Sequence, residues 1–166
     1  MRRDLFLTFI IIGFFHCSSN SQNLKKSIPE AELSGCFENE SDFTRKFQSG
    51  FSEFRENNNI LIPVRDPDLE RAAHKFANIL REKKSIHYEY NERPLNRLKS
   101  EGIKRVFVAE NIAKLKNDHI SAVELIEKWK NSYTERNNML NSKYQYFGFA
   151  VSASKKYCYC VLLLTD

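Results

Sequence analysis

The sequence predicts an α+β fold in a single domain. Three segments carry apolar residues at the 3.6-residue period of a helix, and two apolar runs near the end of the chain are strand-like. The length of 166 residues fits about one domain. A hydrophobic fraction of 42%, with only 5 Gly and 4 Pro, excludes a disordered or collagen-like chain. We therefore expect helices packed against a small, largely antiparallel sheet.

Residues 1–21 have the pattern of a secretory signal peptide. Two arginines precede an apolar run from Leu5 to Phe15, and small serines follow it. A transmembrane helix needs about 20 apolar residues, so this run is too short to span a bilayer. We expect a secreted, extracellular product without a transmembrane segment. In that product residues 22–40 form a flexible N-terminal segment and residues 41–166 form the domain.

The charge pattern argues against a nucleic-acid partner. The formal net charge is +5, and the basic residues are interspersed with acidic ones. A nucleic-acid surface needs clustered Lys and Arg. The predicted secretion also argues against a nucleic-acid partner. Asn39 begins an Asn-Glu-Ser motif, which is either a glycosylation site in a eukaryotic host or an ordinary surface position.

Loss of the leader would leave three cysteines, Cys36, Cys158 and Cys160. An oxidising compartment permits disulfides. Cys158 and Cys160 lie two residues apart in a strand-like run, so they share one face of that strand. We expect Cys36 to pair with one of them and to leave the other free or available to a second chain. The spacing does not decide which one pairs.

The first two predicted helices have clear apolar faces. The first follows Ser41 as N-cap and ends at Asn57-Asn58-Asn59. Its face consists of Phe43, Phe47, Phe51 and Phe54. The second opens with Asp66-Pro67, a capping carboxylate before a proline at the first helical position. Its face consists of Leu69, Ala72, Ala73, Phe76, Ala77 and Leu80.

The later elements are shorter and end in a hairpin. Residues 94–101 form one or two helical turns stopped by Gly102, and residues 106–108 form a short strand. A capping box of Ser121 and Glu124 opens the third long helix, whose apolar face is Ala122, Leu125, Ile126, Trp129 and Tyr133. A three-residue loop then joins two strands, residues 144–153 and 157–164.

Five short motifs follow one another along the chain. They are Leu69…Ala73…Ala77, Asn96-Arg97-Leu98 before Gly102, Ala109-Glu110-Asn111-Ile112, Trp129…Ser132…Arg136-Asn137-Asn138-Met139-Leu140, and Phe147-Gly148-Phe149. Their succession resembles the CAP superfamily of cysteine-rich secretory, antigen 5 and pathogenesis-related 1 proteins, also called SCP domains, in which the last three motifs read "GENI", "W..S..HR.NIL" and "iGiG". The resemblance runs from about Phe51 to Leu164 and is strongest to the shorter, bacterial-type members. The resemblance implies an α-β-α sandwich with a small antiparallel sheet between helical layers.

The resemblance also implies a cleft of two histidines and acidic groups, which in some members holds a divalent metal. His87 stands at the first histidine and Glu110 at the glutamate of the "ENI" motif. The second histidine is replaced here by Glu135, and a glutamate of many eukaryotic members is replaced by Ser132. With Asn111, these residues form the expected cleft.

Two chemical interpretations of this cleft are open. His87, Glu110 and Glu135 could bind Zn²⁺ with one open position, or form a general acid/base set. The alternative is a structural network, in which Glu110 and Asn111 accept backbone N–H bonds and His87 pairs with a carboxylate. Exchanging an imidazole for a carboxylate favours harder cations. We therefore expect weak or no Zn²⁺ binding, and we assign no catalytic residue and no cofactor beyond a divalent metal in this cleft.

Three functions follow from these interpretations. The favoured one is a secreted, non-enzymatic CAP-domain protein that binds a lipid or sterol, or the surface of an extracellular protein. We expect the Phe-rich face of the first helix to be core, and the alternative is a partly open Phe face that accepts the lipid. The second is a metal-dependent hydrolase that uses His87, Glu110 and Glu135. The third is an extracellular structural or signalling protein linked into a dimer by its odd cysteine.

Overall fold

The computed structural model describes residues 40–86, 93–116 and 121–166. Its helices are α1 (Glu40–Glu56), α2 (Pro67–Lys83), α3 (Pro94–Ser100), α4 (Ala122–Lys130) and α5 (Tyr133–Leu140). Its strands are β1 (Val64–Arg65), β2 (Val108–Lys116), β3 (Tyr146–Ala153) and β4 (Tyr157–Thr165). The predicted leader, Cys36, Asn39 and His87 lie outside the described residues. Within them, no helix combines the length and the apolar character needed to cross a membrane.

The four strands form one sheet in the order β1-β3-β4-β2. β4 is antiparallel to both β2 and β3, while the two-residue β1 runs parallel to the start of β3. In this register Tyr146 and Val108 both pair with Thr165. The starts of β3 and β2 therefore lie beside the end of β4, at one end of the sheet. The sheet is therefore largely antiparallel, as predicted from the sequence.

Each face of the sheet buries its own apolar core, because side chains alternate between the two faces of a strand. One core joins the sheet to α1, α4 and α5. The other joins it to α2 and α3. The expected sandwich of helices, sheet and helices is confirmed.

The Phe face of α1 lies in the first core. Phe47 stacks on Phe149 with ring centroids 3.8 Å apart and meets Trp129 edge-on at 5.7 Å. Trp129 is buried, as predicted. Phe43 and Phe51 are buried too, and Phe54 is partly buried against the same core, so these rings form packed core. Ser41 lies inside α1 and is not its N-cap.

The second helix confirms its predicted start and face. The Asp66 carboxylate accepts the backbone N–H groups of Asp68 at 2.8 Å and Leu69 at 3.3 Å. The predicted stripe is buried against the sheet except for the partly buried Ala72. Gly148 of β3 lies directly under α2. A Cβ at this position would overlap the backbone of Leu69 and Glu70. This close approach explains why glycine occupies the centre of the strand.

Three further local predictions were wrong. The strand of the "ENI" motif is the nine-residue β2, which starts only at Val108, so Val106 and Phe107 precede it and are exposed. α4 ends at Lys130, and a separate helix α5 follows. Tyr133 begins α5 and is 80% exposed, so it does not belong to the apolar face of α4.

The structure separates the two cysteines of β4. Cys160 is a free thiol and is fully buried, and burial raises its pKa. A thiol in that position is not available to a second chain. Cys158 is thus the cysteine left for the predicted bridge to Cys36, whose pairing stays a prediction because Cys36 lies outside the described residues.

Candidate functional site

The "ENI" motif forms the centre of β2 and sends its polar side chains to opposite faces of the sheet. Glu110 and Asn111 are successive strand residues, so their side chains alternate. Glu110 points to the layer of α2 and α3, where it meets Arg97. Asn111 is fully buried and points to α5. The alternative in which both side chains accept backbone N–H bonds is not what the structure shows: Glu110 accepts from the Arg97 side chain and Asn111 from the Asn138 side chain.

Glu110 forms a buried ion pair with Arg97 of α3. The side chains are 9% and 20% exposed, and the guanidinium Nη2 donates to Glu110 Oε1. Burial raises the pKa of Glu110, and the nearby Arg97 charge and hydrogen bond oppose that shift. The Arg97 guanidinium also lies 3.7 Å from the ring centroid of Phe76, a distance suited to cation–π attraction. Arg97 thus connects the "ENI" strand to α2 through one side chain.

A hollow of about 150 Å³ lies beside this ion pair, between α2 and α3. Its apolar lining includes Phe76, Ile79, Pro94, Leu98 and Leu163. Glu110 and Arg97 supply polar atoms to the wall, and Lys75 and Glu101 pair with each other beside it. An apolar space with a few convergent polar groups is the usual form of a small-molecule site.

The other polar side chains of the motif region tie α5 to β2. Asn111 Nδ2 donates to the Glu135 carbonyl at 3.0 Å, and Asn138 Nδ2 donates to Asn111 Oδ1 at 2.9 Å. The Glu135 carboxylate accepts a hydrogen bond from the Ser132 hydroxyl, three residues earlier in the chain. These contacts are structural: they hold a short helix against a strand.

Of the five predicted cleft residues, the structure therefore brings Asn111 to the backbone of Glu135 and joins Ser132 to the Glu135 side chain. It gives the Glu110 carboxylate a different partner, Arg97. His87 lies outside the described residues. Across residues 40–86, 93–116 and 121–166, no three His, Cys, Asp or Glu side chains are grouped to hold a metal ion. The metal-site hypothesis stays a prediction that depends on His87.

Sequence reasoning missed the role of Arg97 and Phe76. Both residues were visible, Arg97 in a family-like motif and Phe76 on an apolar helical face. Nothing in the sequence connects Arg97 to Glu110, 13 residues away, because only the packing of α3 on β2 brings them together. The one signal in the sequence for a packed Arg97 side chain was its position between two leucines of a short helix.

The comparisons with known proteins establish the family. The sequence model of the cysteine-rich secretory protein family, CAP, matches residues 49–164, well over half of the chain. The chain therefore belongs to the CAP family, which confirms the resemblance drawn from its motifs. No curated protein matches it by sequence.

Solved structures share its fold. An outer surface protein of Borrelia burgdorferi is 19% identical with a TM-score of 0.70, over 77% of this chain and 95% of that one. A cysteine-rich secretory protein of Staphylococcus aureus is 22% identical with a TM-score of 0.63, over 78% and 40%. An extracellular SCP-domain protein of Bacillus anthracis is 18% identical with a TM-score of 0.59, over 76% and 41%. At these identities the likeness shows the fold alone.

Proposed function

We propose that this chain is an exported CAP-domain protein that acts by binding an apolar ligand group in the hollow between α2 and α3. Two observations support export: the leader pattern of residues 1–21, and structural neighbours named as outer surface and extracellular proteins. The observation that carries binding is the hollow itself, since it offers apolar walls beside a polar, charged pair.

The size of the hollow limits the ligand. A dry cavity of about 150 Å³ accommodates a molecule the size of benzene. The hollow, at about 150 Å³, would enclose a short acyl segment or a single ring and is too small to enclose a whole sterol. Lys75 and Arg97 at its wall are each paired with a glutamate, so the hollow favours the apolar part of a ligand, such as the chain of a fatty acid. Of the lipid or sterol expected from the sequence, we therefore propose an acyl chain as the ligand.

Binding is favoured over hydrolysis by the state of Glu110. A general base must present a free carboxylate oxygen to the proton that it removes. The Glu110 side chain is 9% exposed and already accepts a hydrogen bond from Arg97. Its carboxylate is therefore committed to the guanidinium, which fits a ligand-positioning or structural role better than proton transfer.

Calorimetric titration with straight-chain fatty acids of increasing length tests the proposal. We expect short chains to bind and Ala72→Phe to abolish binding, because Ala72 lines the hollow and the new ring would fill it. Thr134→Phe on the exposed surface of α5 is the matched control and should leave binding unchanged. Unaltered binding in Ala72→Phe, or no binding of any chain length, would contradict the proposal.

The hydrolase alternative has its own test, since it requires metal. We expect titration with Zn²⁺ to show no tight binding, because a carboxylate replaces one family histidine and Glu110 is paired with Arg97. Sub-micromolar Zn²⁺ affinity that is lost in His87→Ala would overturn this expectation and favour metal-assisted hydrolysis.

A further inference from the structure

Six large apolar side chains are exposed at one end of the sheet, and we call this surface the apolar end. Their exposed fractions range from 36% for Tyr146 to 89% for Leu61, and that of Phe107 is 51%. The set is Leu61, Ile62, Val64, Val106, Phe107 and Tyr146. Scattered apolar residues on a surface need no explanation, but a contiguous exposed group indicates an interaction site.

The register of the sheet brings the segments that carry this group to one end of the sheet. Val64 faces Tyr146 across β1 and β3, and Tyr146 faces Thr165 in β4. The backbone of the next residue, Asp166, donates to the carbonyl of Phe107 at 3.4 Å. Val64, Tyr146, Val106 and Phe107 therefore come from segments that meet at this end of the sheet. Leu61 and Ile62 lie just before β1 in the chain.

Val106 and Phe107 are held in place although they are exposed. The Asp166 carboxylate accepts the backbone N–H groups of Val106 at 2.9 Å and Phe107 at 2.8 Å. These hydrogen bonds lower the pKa of Asp166. The loop thus presents its two apolar side chains from a fixed backbone, so their exposure is a built feature of the surface.

Basic side chains surround the apolar end. Lys143 Nζ lies 5.5 Å from the ring centroid of Phe107, and the Arg105 guanidinium lies 5.1 Å from that of Tyr146. Arg105 is paired with Asp66. Among the described residues, no carboxylate forms an ion pair with Lys143 or with Lys104, the exposed residue before Arg105. The side chains of Arg105, Lys104 and Lys143 carry three positive charges at this end, against the two negative charges of the Asp66 and Asp166 side chains, so one positive charge remains beside the rings and suits an anionic partner.

We propose that the apolar end docks on the surface of an anionic lipid bilayer. Phe107, Val106 and Leu61 enter the boundary between headgroups and acyl chains, and Lys104 and Lys143 contact lipid phosphates. Apolar side chains flanked by lysines are the combination that binds this interface, because the apolar groups leave water while the ammonium groups stay among the phosphates. This surface is separate from the hollow between α2 and α3, which shares none of its residues.

Quenching by brominated lipids tests where the protein touches the membrane. Phe107→Trp places a fluorescent ring at the apolar end, and Val123→Trp, at a 64% exposed position on α4, is the matched control. Buried Trp129 gives both variants the same background. The full chain is mixed with vesicles of brominated phosphatidylcholine, with or without phosphatidylglycerol. Anchoring through the leader would bring both rings near the vesicle, but only an inserted ring is quenched.

We expect Phe107→Trp to be quenched by vesicles that contain phosphatidylglycerol and Val123→Trp to be unaffected. Lys104→Glu with Lys143→Glu should weaken the quenching titration by about tenfold or more, since each lysine near an anionic surface adds roughly a fivefold factor. Lys99→Glu with Lys128→Glu, both exposed elsewhere, should change it much less. Ala72→Phe should keep the quenching, which separates this proposal from ligand binding in the hollow.

Two results would overturn the proposal. One is equal quenching, or none, in Phe107→Trp and Val123→Trp. The other is a dimer in sedimentation experiments that Phe107→Asn dissociates while vesicles leave Phe107→Trp unquenched, because the apolar end would then bind a second copy of the chain.

Discussion

The most constrained single residue is Arg55, a cation that the sequence places on an ordinary charged helix. Its side chain is fully buried. Its guanidinium donates to the carbonyls of Leu61 at 2.7 Å, Met139 at 2.8 Å and Asn141 at 3.1 Å, and to that of Tyr144 at 3.4 Å. Arg55 therefore joins the end of α1 to the chain on both sides of the turn before β3. A planar group with five donors can satisfy such a set, whereas lysine cannot.

We predict that Arg55→Met lowers the free energy of unfolding by at least about 3 kcal/mol, because several carbonyls lose a charged donor at once. Urea denaturation measures this loss. Arg45→Met on the same helix is the matched control, since Arg45 is exposed and pairs with the nearby Asp42. It should cost less than about 1 kcal/mol. Similar losses in the two variants would mean that the buried contacts of Arg55 add nothing to stability.

The Glu110–Arg97 pair predicts a pH dependence. Burial raises the pKa of Glu110 above its ordinary value of 4.5, and Arg97 opposes the rise. A carboxyl with a raised pKa stabilises the fold at low pH, and this stability is lost as the pH rises through the folded-state pKa. Arg97→Met removes the opposing charge, so we expect it to cost about 3–5 kcal/mol at neutral pH and less near pH 4.5.

Melting temperatures across this pH range measure that effect. The melting temperature of Arg97→Met should fall further below that of the wild type as the pH rises. The double variant Arg97→Met, Glu110→Gln should lose most of this slope, because it has no carboxyl to ionise. If the single and double variants melted in parallel at every pH, Glu110 would not be the titrating group.

At the scale of elements, the contact between α2 and β3 shows how one residue sets the spacing of two layers. Gly148 leaves no room for a side chain because the backbone of Leu69 and Glu70 occupies that space. The small Ala73 and Ala77 are fully buried on the same helical face. Close packing of the helix on the strand therefore depends on small residues from both partners.

We predict that Gly148→Ala destabilises the protein by about 1–3 kcal/mol or more, because a backbone cannot shift as a side chain can. Gly50→Ala is the comparison: there the new Cβ would lie 2.5 Å from Ile126 Cδ1, the end of a flexible side chain. Gly50 also sits inside α1, where alanine is the better helix former. Thermal unfolding should show a clearly larger loss for Gly148→Ala, and equal losses would contradict the inferred backbone contact.

At the scale of the whole molecule, the buried position of Cys160 determines which covalent assemblies are open to the chain. A thiol with no exposed surface and a raised pKa reacts slowly, because the thiolate is the reactive form. A dimer linked through the odd cysteine of β4 would require the core to open. This geometry argues against the structural or signalling alternative in its disulfide-linked form.

We predict that Cys160→Ser leaves the number of fast-reacting thiols in the native protein unchanged and lowers by one the number that reacts after denaturation. Titration with a thiol reagent, with and without guanidinium chloride, gives both numbers. Loss of a fast-reacting thiol in the native variant, or of a disulfide-linked dimer band on a non-reducing gel, would show that Cys160 is accessible.

The sequence predicted most of the elements because their signals are local. The Asp66 cap, the Ser121–Glu124 capping box and the stop at Gly102, which has a φ of 77°, each depend on a few adjacent residues. It missed the boundary between α4 and α5 because the helical apolar period continues into Tyr133, and only exposure distinguishes that residue from core. It also started β2 too early, since Val106 and Phe107 have strand-like side chains but lie in a loop.

By itself, the sequence determined the class of fold, the family and which face of each long helix is apolar. Periodicity and helix caps depend only on residues that are neighbours along the chain. The tertiary structure alone decided which charges meet: Glu110 with Arg97, Arg55 with its carbonyls, and Asn111 with α5. It also decided that most of the Phe row is buried core, while a hollow lies on the other face of the sheet and an apolar surface lies at the sheet's end. Such pairings depend on packing between segments far apart in sequence, and no local pattern encodes which partner a buried charge will find.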